Sequence, residues 1–149
     1  MPDASASIDI DAPPDLVWRI VADTELHPTI DATTSRILGF PDEGARLKVY
    51  STLSPDHPLT VRVITYAPPR RMVWRNSRWF GLVRGVRSFA VDPLDGPRSR
   101  FTLSESWSGP LLRLVSGSIA DRQDAFRGLC AGLKALAEAA VAPPSRGGR

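Results

Sequence analysis

Apolar and polar residues alternate from Ala4 to Asp11, with Ala6, Ile8 and Ile10 on one side and Ser5, Ser7, Asp9 and Asp11 on the other. A period of two predicts a half-buried strand. Pro13 and Pro14 end it, and Pro14 with Asp15 beside it suits a first helical turn. Leu16, Val17, Ile20 and Val21 follow at helical spacing with Trp18 among them, which predicts a short helix to about Asp23. A second short turn covers Thr24 to Pro28.

The period of two then returns. Strands are predicted over Ser35 to Phe40, Ala45 to Leu53, Leu59 to Tyr66, Met72 to Arg78, Leu82 to Val91 and Arg100 to Trp107. Their alternation puts Met72, Trp74 and Asn76 on one face, then Gly85, Arg87, Phe89 and Val91, then Phe101, Leu103, Glu105 and Trp107. Ala67-Pro68-Pro69 and Asp92-Pro93-Leu94-Asp95-Gly96-Pro97 read as turns. Short turns between consecutive strands imply antiparallel pairing.

After Gly109, Pro110 can open a helix running to about Val141. Val115, Ile119, Phe126, Leu129, Cys130, Leu133, Leu136, Ala137 and Ala140 form its apolar stripe. At ~1.5 Å per residue it would be roughly 45 Å long. Gly117 is a point for a bend, and Gly128 and Gly132, four apart, suit close packing. A one-sided stripe must be buried against the sheet. The order therefore predicts an α+β fold: a curved antiparallel sheet of about six or seven strands around a long C-terminal helix, with two short helices after the first strand. A space under the helix is where a ligand would fit.

Composition narrows the class. A chain of 149 residues suits a single domain, here taken as 1–142 with a disordered tail over 143–149. The lone Cys130 excludes an internal disulfide framework. No apolar run approaches the ~20 residues needed to span a bilayer, and the N-terminus has no secretory signal pattern, so a cytoplasmic protein without an integral membrane segment is expected. The net charge of +3 comes from 17 Arg against 2 Lys, which together with the many Ala and Pro residues points to a high-GC bacterial coding bias. The densest group, Arg70, Arg71, Arg75, Arg78, Arg84 and Arg87, reads first as solvated sheet arginines, without the basic helix of a nucleic-acid module, so no nucleic-acid partner is expected.

Three stretches carry a family resemblance. Asp11-Ala12-Pro13-Pro14-Asp15-Leu16-Val17-Trp18, followed by Asp23 and His27-Pro28, resembles the opening of the START/Bet v 1-like superfamily, in its polyketide cyclase/dehydrase and lipid-transport branch. Glu105-Ser106-Trp107-Ser108-Gly109-Pro110-Leu111 resembles that family's junction from last strand to last helix. Phe126 through Leu133-Lys134 and Glu138 resembles its final helix. The similarity covers about residues 4 to 140 and implies a helix-grip fold. The family includes aromatase/cyclases, other hydrolases, lipid carriers, hormone receptors and coenzyme Q-binding proteins, so it implies a cavity and not one reaction. Where relatives often carry Trp, this chain has Ile30-Asp31, which implies a more polar pocket mouth.

Chemistry concentrates in three charges on predicted inward faces: Glu105, Arg87 and Arg122. A charge buried alone costs several kcal/mol, so these must pair or meet water or ligand. Glu105 paired with an arginine would seal the pocket. Alternatively Glu105 and Arg87 are catalytic, as acid or base and as orienter of an enolate or carboxylate oxygen. A slip of one residue in register would turn all of these outward. Trp74, Asn76, Phe89, Leu103, Trp107, Arg122, Phe126, Leu129, Cys130 and Leu133 are the candidate ligand-binding residues. Cys130 reads as a small hydrophobe before a nucleophile. His27 reads as a surface or capping residue, His57 as solvated in the turn Ser54 to Pro58, and Asp31 as a solvent-exposed loop residue. No residue cluster has metal spacing, and neither metal nor cofactor is expected.

The first functional expectation is a binding protein or carrier for a small hydrophobic or polyketide-like molecule. The second is a cofactor-independent cyclase/dehydratase using Glu105 and Arg87. The third is an interaction module working through Trp79-Phe80, a hairpin tip that reads equally as a covered loop or as a lid or contact surface for a partner, a membrane or the second subunit of a homodimer.

Overall fold

The computed structural model describes residues 4–78, 80–112 and 119–141. The alternating segments form β1 (Ala4–Ile10), β2 (Thr34–Leu38), β3 (Arg46–Ser51), β4 (Ser54–Ala67), β5 (Arg71–Arg78), β6 (Val83–Pro93) and β7 (Ser99–Ser108). They make one seven-stranded sheet in the order β1-β7-β6-β5-β4-β3-β2, antiparallel throughout. Consecutive hairpins account for every neighbour except β1, which pairs with β7 at the far edge. The chain crosses from β1 to β2 through α1 (Pro14–Val21), a 3-10 turn at Thr24–Leu26 and α2 (His27–Ile30). Pro14 opens α1 with Asp15 in its first turn and Arg19 in its last, an arrangement that suits the helix dipole. Val17, Trp18, Ile20 and Val21 are its buried face.

Register sets the inner face of the sheet in rows. One row reads Met72, Phe89, Leu103, Ala6 across β5, β6, β7 and β1. The next reads Val63, Trp74, Arg87, Glu105, Ala4 from β4 to β1. The third reads Val61, Asn76, Gly85, Trp107 from β4 to β7. The first row is apolar, and its Met72, Phe89 and Leu103 are fully buried. The second carries both charges of the face.

The last helix, α3 (Ile119–Val141), has 23 residues and is about 35 Å long. Phe126, Leu129, Cys130, Leu133 and Ala137 are its buried stripe. Its polar residues serve a second purpose, because β1 leaves one edge unpaired and such an edge exposes backbone donors and acceptors. Gln123 meets both the N–H and the C=O of Ser5. Lys134 Nζ donates to the Asp9 carbonyl at 3.1 Å, and Asp11 N–H donates to Glu138 Oε2 at 2.8 Å. Lys134 and Glu138 also pair with each other at 2.6 Å. From Ser5 to Asp11 a strand advances about 20 Å, and from Gln123 to Glu138 a helix advances about 22 Å. The matched lengths let one helix cover the edge from end to end.

Several boundaries differ from the sequence expectation. Pro110 sits in a turn and does not open the helix. Gly109 has φ +120°, and a Cβ there would lie 2.2 Å from the Leu82 carbonyl oxygen. That close pass lets Leu111 N–H donate to Leu82 O, so the chain leaves the sheet by a turn against β6. Val115, Gly117, the Ile119 side chain, Trp79 and the tail over 143–149 lie outside the described residues. Ala140 is exposed and not part of the stripe. The strand β4 starts at Ser54, five residues early, so His57 is on an exposed strand and not in a turn. Pairing slips between Ser51–Ser54 and Val49–Leu59, and this bulge takes up Pro55 and Pro58 without costing ladder donors.

The two glycines of α3 separate by environment. A Cβ on Gly132 would lie 2.4 Å from the Ile30 carbonyl oxygen, whereas one on Gly128 would meet nothing within 4 Å. Only Gly132 serves close packing, against α2. Gly132→Ala should therefore cost about 1–3 kcal/mol, while Gly128→Ala, on the exposed face, should stabilise by about 0.5–1 kcal/mol. Urea unfolding of both variants checks the pair, and equal shifts would contradict the packing.

Candidate functional site

The row geometry brings Glu105 directly opposite Arg87 on the inner face. Glu105 is 3% exposed. Arg87 Nε donates to its Oε2 at 3.2 Å, and Arg122 Nη1 from α3 approaches its Oε1 at 3.5 Å. Each guanidinium also lies 5.0 Å from a ring centroid, Arg87 over Phe126 and Arg122 over Trp107. Such stacking suits a weakly hydrated planar cation. Burial pulls Arg122 down from its ordinary value, and Glu105 opposes that shift. Two guanidinium groups against one carboxylate leave positive charge in surplus. Arg87 and Arg122 keep 20% and 36% side-chain exposure, so this surplus faces the end of the site that solvent reaches.

Two buried polar atoms among the described residues have no hydrogen-bond partner: Trp74 Nε1 and Glu105 Oε1. Leaving such a group unsatisfied costs about 1–3 kcal/mol. Trp74 and Glu105 flank Arg87 in the same row. In the row beside it, Asn76 and Trp107 stand on either side of Gly85. A Cβ on Gly85 would lie 2.9 Å from Asn76 Nδ2 and 3.0 Å from Trp107 Cδ1. The missing side chain therefore lets an amide and an indole lie close together on the floor of the sheet.

The remaining predicted site residues are placed deeper. Phe89, Leu103, Phe126, Leu129 and Leu133 are buried core residues. Cys130 is buried with them, and desolvation pushes its thiol up to about 11, so it is neutral and unreactive near pH 7.

The structure corrects the reading of His27. It is 2% exposed, stacks on Trp74 at 5.6 Å and meets Phe89 edge-on at 6.2 Å. Its Nε2 lies 2.7 Å from the Val21 carbonyl oxygen. A carbonyl only accepts, so Nε2 carries the proton and donates. The signal was a stripe of three and four spacings, Val17, Val21, Thr24, His27 and Ile30, that continues through both short helical turns. Asp31 is corrected too. It is buried, and its carboxylate accepts from Thr33 N–H at 2.9 Å, Thr33 Oγ1 at 2.7 Å and Thr34 Oγ1 at 3.0 Å. Those bonds consume its polarity in a turn and leave none for a pocket mouth.

With this geometry in view, the sequence matches the family described as "Polyketide cyclase / dehydrase and lipid transport" over residues 1–140. The chain belongs to that family. Solved structures of the same fold include a hypothetical protein from Helicobacter pylori, at 15% identity and TM-score 0.74, covering 90% of this chain and 86% of that one. An aromatase/cyclase from a Streptomyces species aligns at 16% identity and TM-score 0.72, covering 93% and 94%. The di-domain ARO/CYC protein BexL aligns at 20% identity and TM-score 0.71 over 94% of this chain, which spans 47% of its length. No curated protein matches the sequence. Among the described residues no helix is long and apolar enough to cross a membrane.

His27 makes the fold sensitive to acid. Burial is the largest effect and lowers its pKa from 6.5; the hydrogen bond to the Val21 carbonyl opposes it, the charge of Arg87 adds to the lowering, and Asp31 and Asp23 oppose it least. The unfolded chain therefore binds the proton more readily than the folded one. Stability from this group is present above 6.5 and lost as pH falls below it, with a limiting slope of about 1.4 kcal/mol per pH unit. Urea midpoints should be level in this respect above pH ~6.5 and fall as pH drops from there toward ~5, and His27→Gln should flatten the fall. An unchanged slope in the variant would assign the effect to another group.

Proposed function

We propose that this protein binds a small, largely apolar molecule between the sheet and α3, and seats an oxygen of that molecule against Arg87, Glu105 and Arg122. The observation that carries this reading is the charged row. Between a largely apolar inner face and α3 lie one buried carboxylate, the guanidinium groups of Arg87 and Arg122, and an indole N–H with no hydrogen-bond partner among the described residues. A fold without a ligand has little use for an unpaired buried donor. A carbonyl or phenolic oxygen would satisfy Trp74 Nε1 and take up the surplus positive charge. Trp107 and Asn76 would lie alongside, and the fully buried row of Phe89 and Leu103 would set the depth.

The cyclase or dehydratase reading rests on the same row. A positively charged surplus next to a buried carboxylate is suited to an enolate oxygen, with Glu105 moving the proton. Family membership is compatible with both carrying and converting. Phe80, fully exposed at the tip between β5 and β6 with φ 57°, would act as a lid or partner contact under either reading.

Native mass spectrometry of the purified protein should detect a bound apolar molecule carrying at least one oxygen. Titration with 1,8-dihydroxyanthraquinone should quench the tryptophan fluorescence. Arg87→Met should weaken that binding roughly tenfold, about 1.4 kcal/mol. Glu105→Gln separates the readings: a converting enzyme loses turnover of the identified ligand, and a carrier keeps its affinity within a few fold. If neither a native ligand nor the dye is held, the binding proposal fails.

A further inference from the structure

The outer face of the sheet treats charge in two ways. Across β1, β7 and β6 the opposing residues read Asp9, Arg100, Asp92, acid beside base beside acid. Arg100 Nε meets Asp9 Oδ1 at 2.7 Å. Across β3, β4 and β5 the corresponding row reads Arg46, Arg62, Arg75. All three side chains are exposed, and among the described residues none of them joins an ion pair. Like charges directly opposite one another destabilise a sheet. Solvation alone does not call for three in a row, when the same sheet interleaves acids a few strands away.

A cleft lies beside this row. It is an open, solvent-facing depression of about 510 Å³ lined by Glu43, Gly44, Arg62, Val63, Ile64 and Arg75. Its rim is held in place. Gly44 N–H donates to Val63 O at 2.7 Å, and Val63 N–H donates to Ala45 O at 2.8 Å. Those bonds fasten the loop before β3 to the middle of β4. Pairing of β4 with β5 slips between Val63 and Thr65, which adds a residue there and bends the strand beside the cleft. Two guanidinium groups thus share a cleft with one carboxylate that neither of them reaches as an ion pair.

We propose that this cleft is a second binding site, distinct from the inner face, for a small phosphorylated molecule. Arg62 and Arg75 would take the phosphate, since guanidinium groups match phosphate oxygens in pairs. Arg46, opposite Arg62, adds a third cation to a phosphate dianion or diphosphate. Glu43 accepts a hydroxyl hydrogen of the ligand's organic part. Occupation turns the repulsion along the row into attraction.

Isothermal titration calorimetry of the full chain tests this with inorganic phosphate, pyrophosphate and ribose 5-phosphate, each against sodium chloride of equal ionic strength. One phosphate probe should bind once per chain in the sub-millimolar range. The double variant Arg62→Thr, Arg75→Thr should lose at least tenfold in affinity. Glu43→Gln should weaken ribose 5-phosphate alone if the ligand is an organic phosphate, and should change nothing if it is free phosphate or diphosphate. In phosphate-free buffer the double variant should melt at or above the parent temperature, because it relieves the row. Heats no larger than those of sodium chloride would overturn the proposal. So would unchanged binding by the double variant, a markedly lower melting temperature for it, or affinity for single-stranded oligonucleotides that grows with their length.

Discussion

Everything in this structure depends on one helix closing two surfaces of a sheet. A seven-stranded antiparallel sheet that turns one face inward must cover that face, and it must also do something with the outer edge of β1. Both tasks fall to α3. Its apolar stripe from Phe126 to Ala137 faces the sheet, while Gln123, Lys134 and Glu138 supply side-chain partners to the backbone of Ser5, Asp9 and Asp11. The two demands fix the helix along the strand direction and against it. Gly132 brings it close to the Ile30 carbonyl at the other side, so α2 and β1 hold it between them. Arg122 therefore has a defined place over Trp107 and Glu105, and the charged row exists because the helix cannot slide away from it.

Burial makes that row expensive, and the arrangement explains how it is tolerated. A carboxylate 3% exposed would be costly alone. Two guanidinium groups flank it, and each spreads its charge over an aromatic ring. The balance is incomplete at Glu105 Oε1 and at Trp74 Nε1. Replacing buried ion pairs by well-packed apolar residues is often neutral or stabilising, so the row adds little to the stability of the core.

The architecture was legible because its signals are periodic. Alternation along the strands identified the inward residues of β5, β6 and β7, and thereby Trp74, Arg87 and Glu105, since one parity error would have reversed them all. Arg122 followed from a three-and-four stripe. What was not legible depends on contacts between distant segments. His27 looked like a lone loop residue, because its partners are Val21 O, Trp74 and Phe89, and only the packed crossing unit brings them together. Asp31 looked exposed, because its carboxylate is consumed by hydroxyls that follow it. Pro110 looked like a helix start, because nothing in the chain announces the close pass of Gly109 over Leu82.

Gly85 has a consequence of its own. The close approach of Asn76 and Trp107 depends on an atom that is not there, in the row next to the ion trio and not within it. Shape and charge are therefore encoded at separate positions. Exchange of this one residue for Ala would push Asn76 and Trp107 apart and reshape the floor of the sheet, while the ion trio in the neighbouring row stayed as it was. A fold whose floor shape and buried charge sit at separate positions can change one without the other.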